Sequence, residues 1–373
     1  MPSARYIMIG GFLGAGKTTA VAKLAQSLSA KNLRVGLITN DQGSNMVDTA
    51  MLRSRGFATQ EIAGGCFCCR FNSLVEAASK LTQASTPDVF IAEPVGSCTD
   101  LVATVTYPLR RMYGHQFSVA PLSVLLDPIR ALRILEVEEG GRFSDKIRYI
   151  YLKQIEEADL IVINKADLLS SDRLKALRSA LWVRFPNKEV LSVSARSSDG
   201  LAKWFDRIWN ATPLSGEAIE LNYATYAEGE ALLGWLNCTV SISGRAAWDG
   251  NQLLRNLAET VQRLLMRAGA EVAHLKMTLS PDSGLDALGA INLVRNDFVP
   301  ELSLELPSPI ESGHLILNAR VEMDPGKIYQ AVLDGLDELR AACRGLQIRL
   351  EHEEHFRPGK PQPTHRFAAL TNP

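Results

Sequence analysis

The stretch GGFLGAGKTT, Gly10 to Thr19, constrains the fold more than any other part of the chain. It lies where the apolar run YIMIGG gives way to a helix-forming segment, Lys17 to Ala30, and it fits G-x4-G-K-[ST] through Gly11, Gly16, Lys17 and Thr18. Such a loop works where a buried strand hands over to a helix. Glycines there let backbone N–H groups wrap phosphates at the helix N-terminus, a lysine reaches the β- and γ-phosphates, and a hydroxyl coordinates Mg2+. Gly11, Gly14, Ala15, Gly16, Lys17, Thr18 and Thr19 are the expected phosphate cradle, with Thr18 on Mg2+.

The surrounding sequence agrees with that requirement. Through about Thr212, short apolar runs (RVGLIT, ATQEIA, DVFIAE, LSVLLD, LIVINK, VLSVSA) alternate with helical segments, among them Phe71 to Gln83 and Gly200 to Asn210. Continuous apolar runs separated by helices predict a doubly wound α/β domain with a mostly parallel sheet covered on both faces. Ligands of such sheets bind beyond the carboxyl ends of the strands, where every distinctive motif falls. The pattern lapses around ATPLSGEAIELNYATYAEGE, so residues 1–212 are expected as one domain and 213–229 as a linker. Residues 230–357 then read as strand, helix (Asn251 to Ala268), several strands, helix (Pro325 to Ala342) and strand, which predicts an α+β ferredoxin-like domain with a weak internal duplication. Residues 358–373 form a Pro-rich tail, expected to be poorly ordered unless it docks.

Composition excludes some partners. Forty Lys and Arg against forty-one Asp and Glu leave a net charge of −1, with no global pull toward nucleic acid or anionic membrane. No run approaches the roughly 18 uninterrupted apolar residues of a membrane span, and the first residues do not read as a signal peptide. The expected setting is cytoplasmic, where thiols stay reduced.

Two further loops face the same end of the sheet. In TNDQG (Thr39 to Gly43), Asp41 is a candidate to bind Mg2+ or orient an attacking water. In IAEPVG (Ile91 to Gly96), Glu93 takes a Walker-B-like position, and the Gly96 N–H is placed to sense a γ-phosphate. Both loops also suit ordinary turn chemistry.

GGCFCC, residues 64 to 69, holds three of the six cysteines. Cys66, Cys68 and Cys69 can supply three thiolates to a divalent metal and leave one tetrahedral position open, as suits transfer rather than a closed structural site. A disulfide is disfavoured by the short spacing. Three packed thiols and a thiol redox switch remain the other readings.

In LIVINKADLL, Asn164, Lys165 and Asp167 resemble the NKxD guanine signature of GTPases, and VSARSSDG places Ser194 and Ala195 where a second base-contacting loop would lie. An Asp carboxylate accepts two hydrogen bonds from the guanine edge that adenine cannot supply. With GGFLGAGKTT, NDQG, GGCFCC, E-x-x-G and NKAD in this order, roughly residues 5 to 210 resemble the CobW-like P-loop GTPases, relatives of the nickel-insertion GTPases of hydrogenase and urease maturation. The resemblance implies GTP hydrolysis, served by Lys17, Asp41 and Glu93 and expected to be slow without a partner because no evident arginine finger lies in cis. It also implies GTP and GDP as ligands with Mg2+, and a metallochaperone or metal-insertion role with Zn2+ or Co2+ on Cys66, Cys68 and Cys69, loaded and released with nucleotide state. The client is unnamed by the sequence. The alternative is a nucleotide-gated assembly or reactivation chaperone for a metalloenzyme or corrinoid protein, with a static metal site.

The chain departs from the family pattern in places. Ser44 and Asn45 stand where many relatives carry acidic residues, EPVGSCTD brings an extra Cys98 read as packing, and no His-rich stretch joins the domains. His352 and His355 of EHEEHF, on opposite faces of a strand, read as a solvated edge. Cys238 and Cys343 read as core, His115 as surface, and Arg70 as the nearest candidate for an arginine finger.

Overall fold

The computed structural model describes residues 3–43, 47–141, 143–213, 217–283 and 287–369. They form two compact units: Met1–Gln42, Phe57–Gly229 and Lys360–Pro373 in the first, Gly43–Gly56 and Glu230–Gly359 in the second. No described helix is long and apolar enough to cross a membrane.

The first unit is an α/β layer structure on eight strands: β1 (Ala4–Gly11), β2 (Val35–Asn40), β3 (Ala58–Ile62), β4 (Val89–Glu93), β5 (Phe117–Val119), β6 (Ser123–Leu126), β7 (Leu160–Ile163) and β8 (Glu189–Ser192). Their order is β3-β2-β4-β1-β6-β7-β8, with β5 also on β1, and the pairings between these strands are parallel. Because helices cover both faces, the strands have no polar side to alternate with. VFIAE and LIVI are buried at every position. The order reverses between β4-β1 and β6, and the loops after β1, β2, β3, β4, β7 and β8 carry the motifs predicted to bind ligand.

The second unit is an antiparallel sheet of six strands: β9 (Leu233–Trp248), β10 (Glu271–Pro281), β11 (Gly289–Leu293), β12 (Glu301–Leu304), β13 (Ile310–Glu322) and β14 (Leu346–Phe356). The order is β12-β11-β10-β13-β9-β14. Strands β9, β10, β13 and β14, with helices Gly250–Arg267 and Pro325–Ala342, make the βαββαβ plan of a ferredoxin-like sandwich, and β11 and β12 extend one edge. The two helices begin alike, Asp249 accepting from Gln252 N–H and Asp324 from Gly326 N–H. Each buries residues three and four apart: Leu254, Leu257, Ala258 and Val261 in one, Ile328, Val332, Leu336 and Leu339 in the other. A Cβ on Gly335 would sit 3.0 Å from Val261 Cγ2, so the small residue sets how closely they approach. The helix Val47–Arg53 also belongs to this unit: Asp48 takes both carboxylate oxygens to Lys276 Nζ at 2.6 and 2.7 Å, and Val47 N–H donates to Asn318 Oδ1 at 3.0 Å.

Outside the apolar runs, the helices Tyr107–Tyr113, Pro128–Ile134 and Asp145–Glu157 complete the first unit, and Tyr223–Leu232 is helical where the sequence pattern lapses. Edge strand β14 keeps His352 exposed, while His355 meets Glu353 at 2.6 Å and stacks on Tyr329 at 5.0 Å.

Candidate functional site: phosphate loop, base motif and cysteine loop

The phosphate loop follows β1, and Gly16 stands at the start of the helix Lys17–Ser29 in a left-handed conformation, φ 87°. A Cβ there would lie 2.5 Å from Asn164 Nδ2, so both the backbone angle and the space demand glycine. Gly96 is held against the loop in the same way: its Cβ would fall 3.0 Å from Leu13 N. Lys17 is buried, with Nζ 3.5 Å from Phe12 O, and the Thr18 hydroxyl donates to Glu93 Oε1 at 2.9 Å. The predicted Mg2+ ligand and the predicted Walker-B-like carboxylate are therefore neighbours. Thr39 lies opposite Glu93 in the β2–β4 register, which carries Asp41, two residues on, to the same end of the sheet. Asp41 is buried, and its Oδ1 accepts from Gln42 N–H at 2.6 Å. Ser44 and Asn45 lie outside the described residues.

The base motif is wired into the phosphate loop. Asn164 donates to Ala15 O at 2.9 Å and accepts from Ala195 N–H at 3.0 Å, thereby joining the loops after β1, β7 and β8. Lys165, at φ 53°, reaches Gly14 O at 2.7 Å and Asp127 Oδ2 at 2.9 Å. Ser194 is buried and its Oγ accepts from Ser197 N–H at 3.2 Å, which shapes the turn after β8. Asp167 sits in the short turn Ala166–Leu168 and is exposed. Thr19 lies within the helix one residue beyond Thr18.

Sequence reasoning missed Asp127. Buried after β6, it caps the helix Pro128–Ile134 through Arg130 N–H at 3.0 Å and also holds Lys165. Asp-Pro after an apolar run was the available signal, and it reads first as a helix cap.

The cysteine loop follows β3. Cys69 N–H and Arg70 N–H both donate to Cys66 O, at 3.0 and 2.9 Å, folding the segment into one tight turn. Phe67 and Phe71 are fully buried and pin it, each worth about 2 kcal/mol of apolar burial. The turn gathers the sulfurs: Cys66 to Cys68 2.7 Å, Cys66 to Cys69 3.3 Å, Cys68 to Cys69 3.6 Å, all as free thiols. Among the described residues this is the group of three or more potential metal donors. Hydrogen bonds from Cys68, Cys69 and Cys98 hold the Cys66 thiol well below its usual range. The same contacts push Cys68 well above it, and Cys69 up to about 11 chiefly through its bond to Cys66. The bonds from its neighbours thus favour ionisation of the Cys66 sulfur over the other two, and a divalent cation would displace the remaining protons. Cys98 is buried as expected, yet it also hydrogen-bonds Cys66, a contact the packing reading did not include. Arg70 folds back on Gly64 O, at 3.1 and 3.2 Å.

Three side chains that the sequence did not single out tie these loops together. Asn40, the last residue of β2 and the neighbour of Asp41, donates through Nδ2 to Ile62 O at 3.0 Å and to Gly65 O at 2.7 Å. Gln154 donates to Gly96 O at 2.9 Å and Cys98 O at 2.8 Å, fixing the loop after β4. Glu157, one turn on, accepts from Thr99 Oγ1 and Val102 N–H. Polar residues three apart on the inner side of an otherwise apolar helix face were the only sequence signal.

Burial pushes Glu157 up from an ordinary 4.5 to about 8, with nearby Asp100 adding to the shift. The folded state thus keeps a proton that the unfolded chain releases near 4.5. Glu157 contributes stability that is complete below that pH and is lost as pH rises through about 8. Glu157→Gln, which has no proton to lose, should show a smaller fall in melting temperature from about pH 5 to about pH 9 than the unaltered protein, by scanning fluorimetry. Parallel profiles would refute this assignment.

A family model described as CobW/HypB/UreG, nucleotide-binding domain, matches residues 5–191. The zinc chaperone CobW of Sinorhizobium sp. is 31% identical over 205 residues, covering 49% of this chain and 57% of that protein. The zinc chaperone YeiR of Escherichia coli K12 is 29% identical over 174 residues, 46% of this chain and 49% of that one. The zinc-regulated GTPase metalloprotein activator 1 of Dictyostelium discoideum is 25% identical over 213 residues, 49% and 44% of the two chains. The chain thus spans about half the length of the curated relatives it matches.

Proposed function

This chain belongs to the CobW/HypB/UreG family, and from that membership we propose that it binds and hydrolyses GTP and carries a divalent transition metal, zinc or cobalt, under control of the nucleotide. Cys66, Cys68 and Cys69 hold the metal. Gly11, Gly14, Ala15, Gly16, Lys17, Thr18, Thr19 and Gly96 hold the phosphates, and Thr18 and Asp41 hold Mg2+. Asn164, Lys165, Asp167, Ser194 and Ala195 serve the base. Lys17 stabilises charge on the phosphates, while Asp41 and Glu93 place Mg2+ and the attacking water. A reducing cytoplasm suits three free thiols. The names of the relatives, zinc chaperones and a zinc-regulated metalloprotein activator, favour zinc as the cargo.

The observation that carries the gating is Asn40. Its side chain bonds the carbonyl just before the cysteines, while its backbone continues into Asp41 and the loop that answers to the phosphates. A shift of that loop on loss of the γ-phosphate would pull on Gly65 and alter the spacing of the thiolates. Asn40→Ala should therefore keep GTP affinity within about threefold while abolishing most of the difference in zinc affinity between GTP-analogue and GDP forms. Competition titration against a chromophoric chelator reads both. Retention of the full difference in Asn40→Ala would sink this route of coupling.

A further inference from the structure

The segment from Lys360 to Ala369 belongs to the first unit and lies against the cysteine loop. Gln362 donates its backbone N–H to Cys69 Sγ at 3.1 Å. Thr364 donates its backbone N–H to Cys68 O at 2.8 Å and its hydroxyl to Cys69 O at 3.1 Å. The His365 ring meets Phe71 edge-on at 5.2 Å. The run is then anchored: Arg366 pairs with Asp100 at 2.7 and 3.3 Å, and the Asp100 side chain is only 1% exposed. Phe367 N–H donates to Ala103 O at 3.0 Å.

The sequence KPQPTHRF explains this geometry. Prolines favour extended chain and impose it on the residue before them, so Gln362, between Pro361 and Pro363, has no helix or turn to join. In extended chain, residues two apart face the same way. Gln362 and Thr364 therefore present their N–H groups to one neighbour, the cysteine loop, and the flanking prolines have no N–H to leave unpaired.

We propose that this segment is a strap built into the thiolate site. It donates a hydrogen bond to one metal-binding sulfur, fixes the carbonyls of two of the three cysteines, and lifts for metal to enter or leave. The proposal rests on reading Cys66, Cys68 and Cys69 as a metal site. A sulfur that accepts an N–H bond is oriented and electronically tuned by it, and such partners of metal ligands govern affinity and exchange. Arg366 and Asp100 set how firmly the strap is held.

The test uses the full chain loaded with zinc and chased with excess chelator, together with the rate at which iodoacetamide alkylates Cys69 in the metal-free protein. Gln362→Pro deletes one N–H and keeps the extended backbone that Pro363 already requires. Arg366→Ala releases the anchor. Both should speed zinc release about tenfold or more, the usual scale for losing a partner of a metal ligand, and both should speed alkylation. Should Arg366→Ala fold poorly, Gln362→Pro still decides. Stoichiometric zinc binding with release and alkylation at unaltered rates in Gln362→Pro would overturn the strap alone. No zinc binding by the unaltered protein would overturn the metal site, and the strap's role with it.

Discussion

Cys66→Ser should lose zinc affinity by more than about 100-fold, because it removes a ligand outright where loss of a ligand's partner already costs 10- to 100-fold. Cys66 is the hub of the loop: its sulfur touches both other thiols, and it is the one whose ionisation its neighbours favour. Without it, only Cys68 and Cys69 remain, their sulfurs 3.6 Å apart. Two adjacent sulfurs make a poor tetrahedral site. The backbone of the turn should survive, since Cys69 and Arg70 donate to the Cys66 carbonyl and not to its sulfur. The Co2+-substituted protein reports this directly, through the intensity of its thiolate-to-cobalt charge-transfer band. A band of undiminished intensity in Cys66→Ser would remove the loop from consideration as the metal site.

The second large effect concerns the base. Asp167→Asn should weaken GTP binding by about 3 kcal/mol or more, a factor of over about 100, since two hydrogen bonds to a charged acceptor are lost. The same substitution should improve binding of xanthosine triphosphate. Xanthine carries an oxygen where guanine carries its exocyclic amine, so an amide N–H finds an acceptor there where a carboxylate finds repulsion. Asp167 is exposed and makes no contribution to the core, so the fold should be indifferent to the change. Fluorescent-nucleotide titration with both triphosphates measures the switch, and an unchanged preference for GTP would show that Asp167 does not read the base.

The strands of the parallel sheet were legible because burial on both faces leaves uninterrupted apolar runs such as VFIAE and LIVI. The helices of the second unit were legible for the opposite reason, a single buried stripe with an Asp at the start. The helix Asp145–Glu157 was not, because Gln154 and Glu157 interrupt its inner face, and those polar residues are there to hold the loop after β4. The glycine-rich, cysteine and NKAD segments follow strands β1, β3 and β7, as their sequence context implied, since each motif encodes local backbone geometry. What joins them was hidden. Asn40, Asp127 and Gln154 are single polar side chains that each have a partner 22 or more positions away in sequence, and nothing in a local pattern marks that distant bond. The run KPQPTHRF carries no periodicity, so its place against the cysteines emerges only in three dimensions.

The coupling of nucleotide to metal is the centre of this account, and one measurement reaches it most directly. Zn2+ and Co2+ are titrated in competition with a chromophoric chelator into the nucleotide-free, Mg2+–GDP and Mg2+–GTPγS forms of the full chain. Tight binding in the GTPγS form that weakens with GDP is the predicted result. Equal affinity in all three forms would contradict gating and leave a static metal site in a nucleotide-driven assembly chaperone.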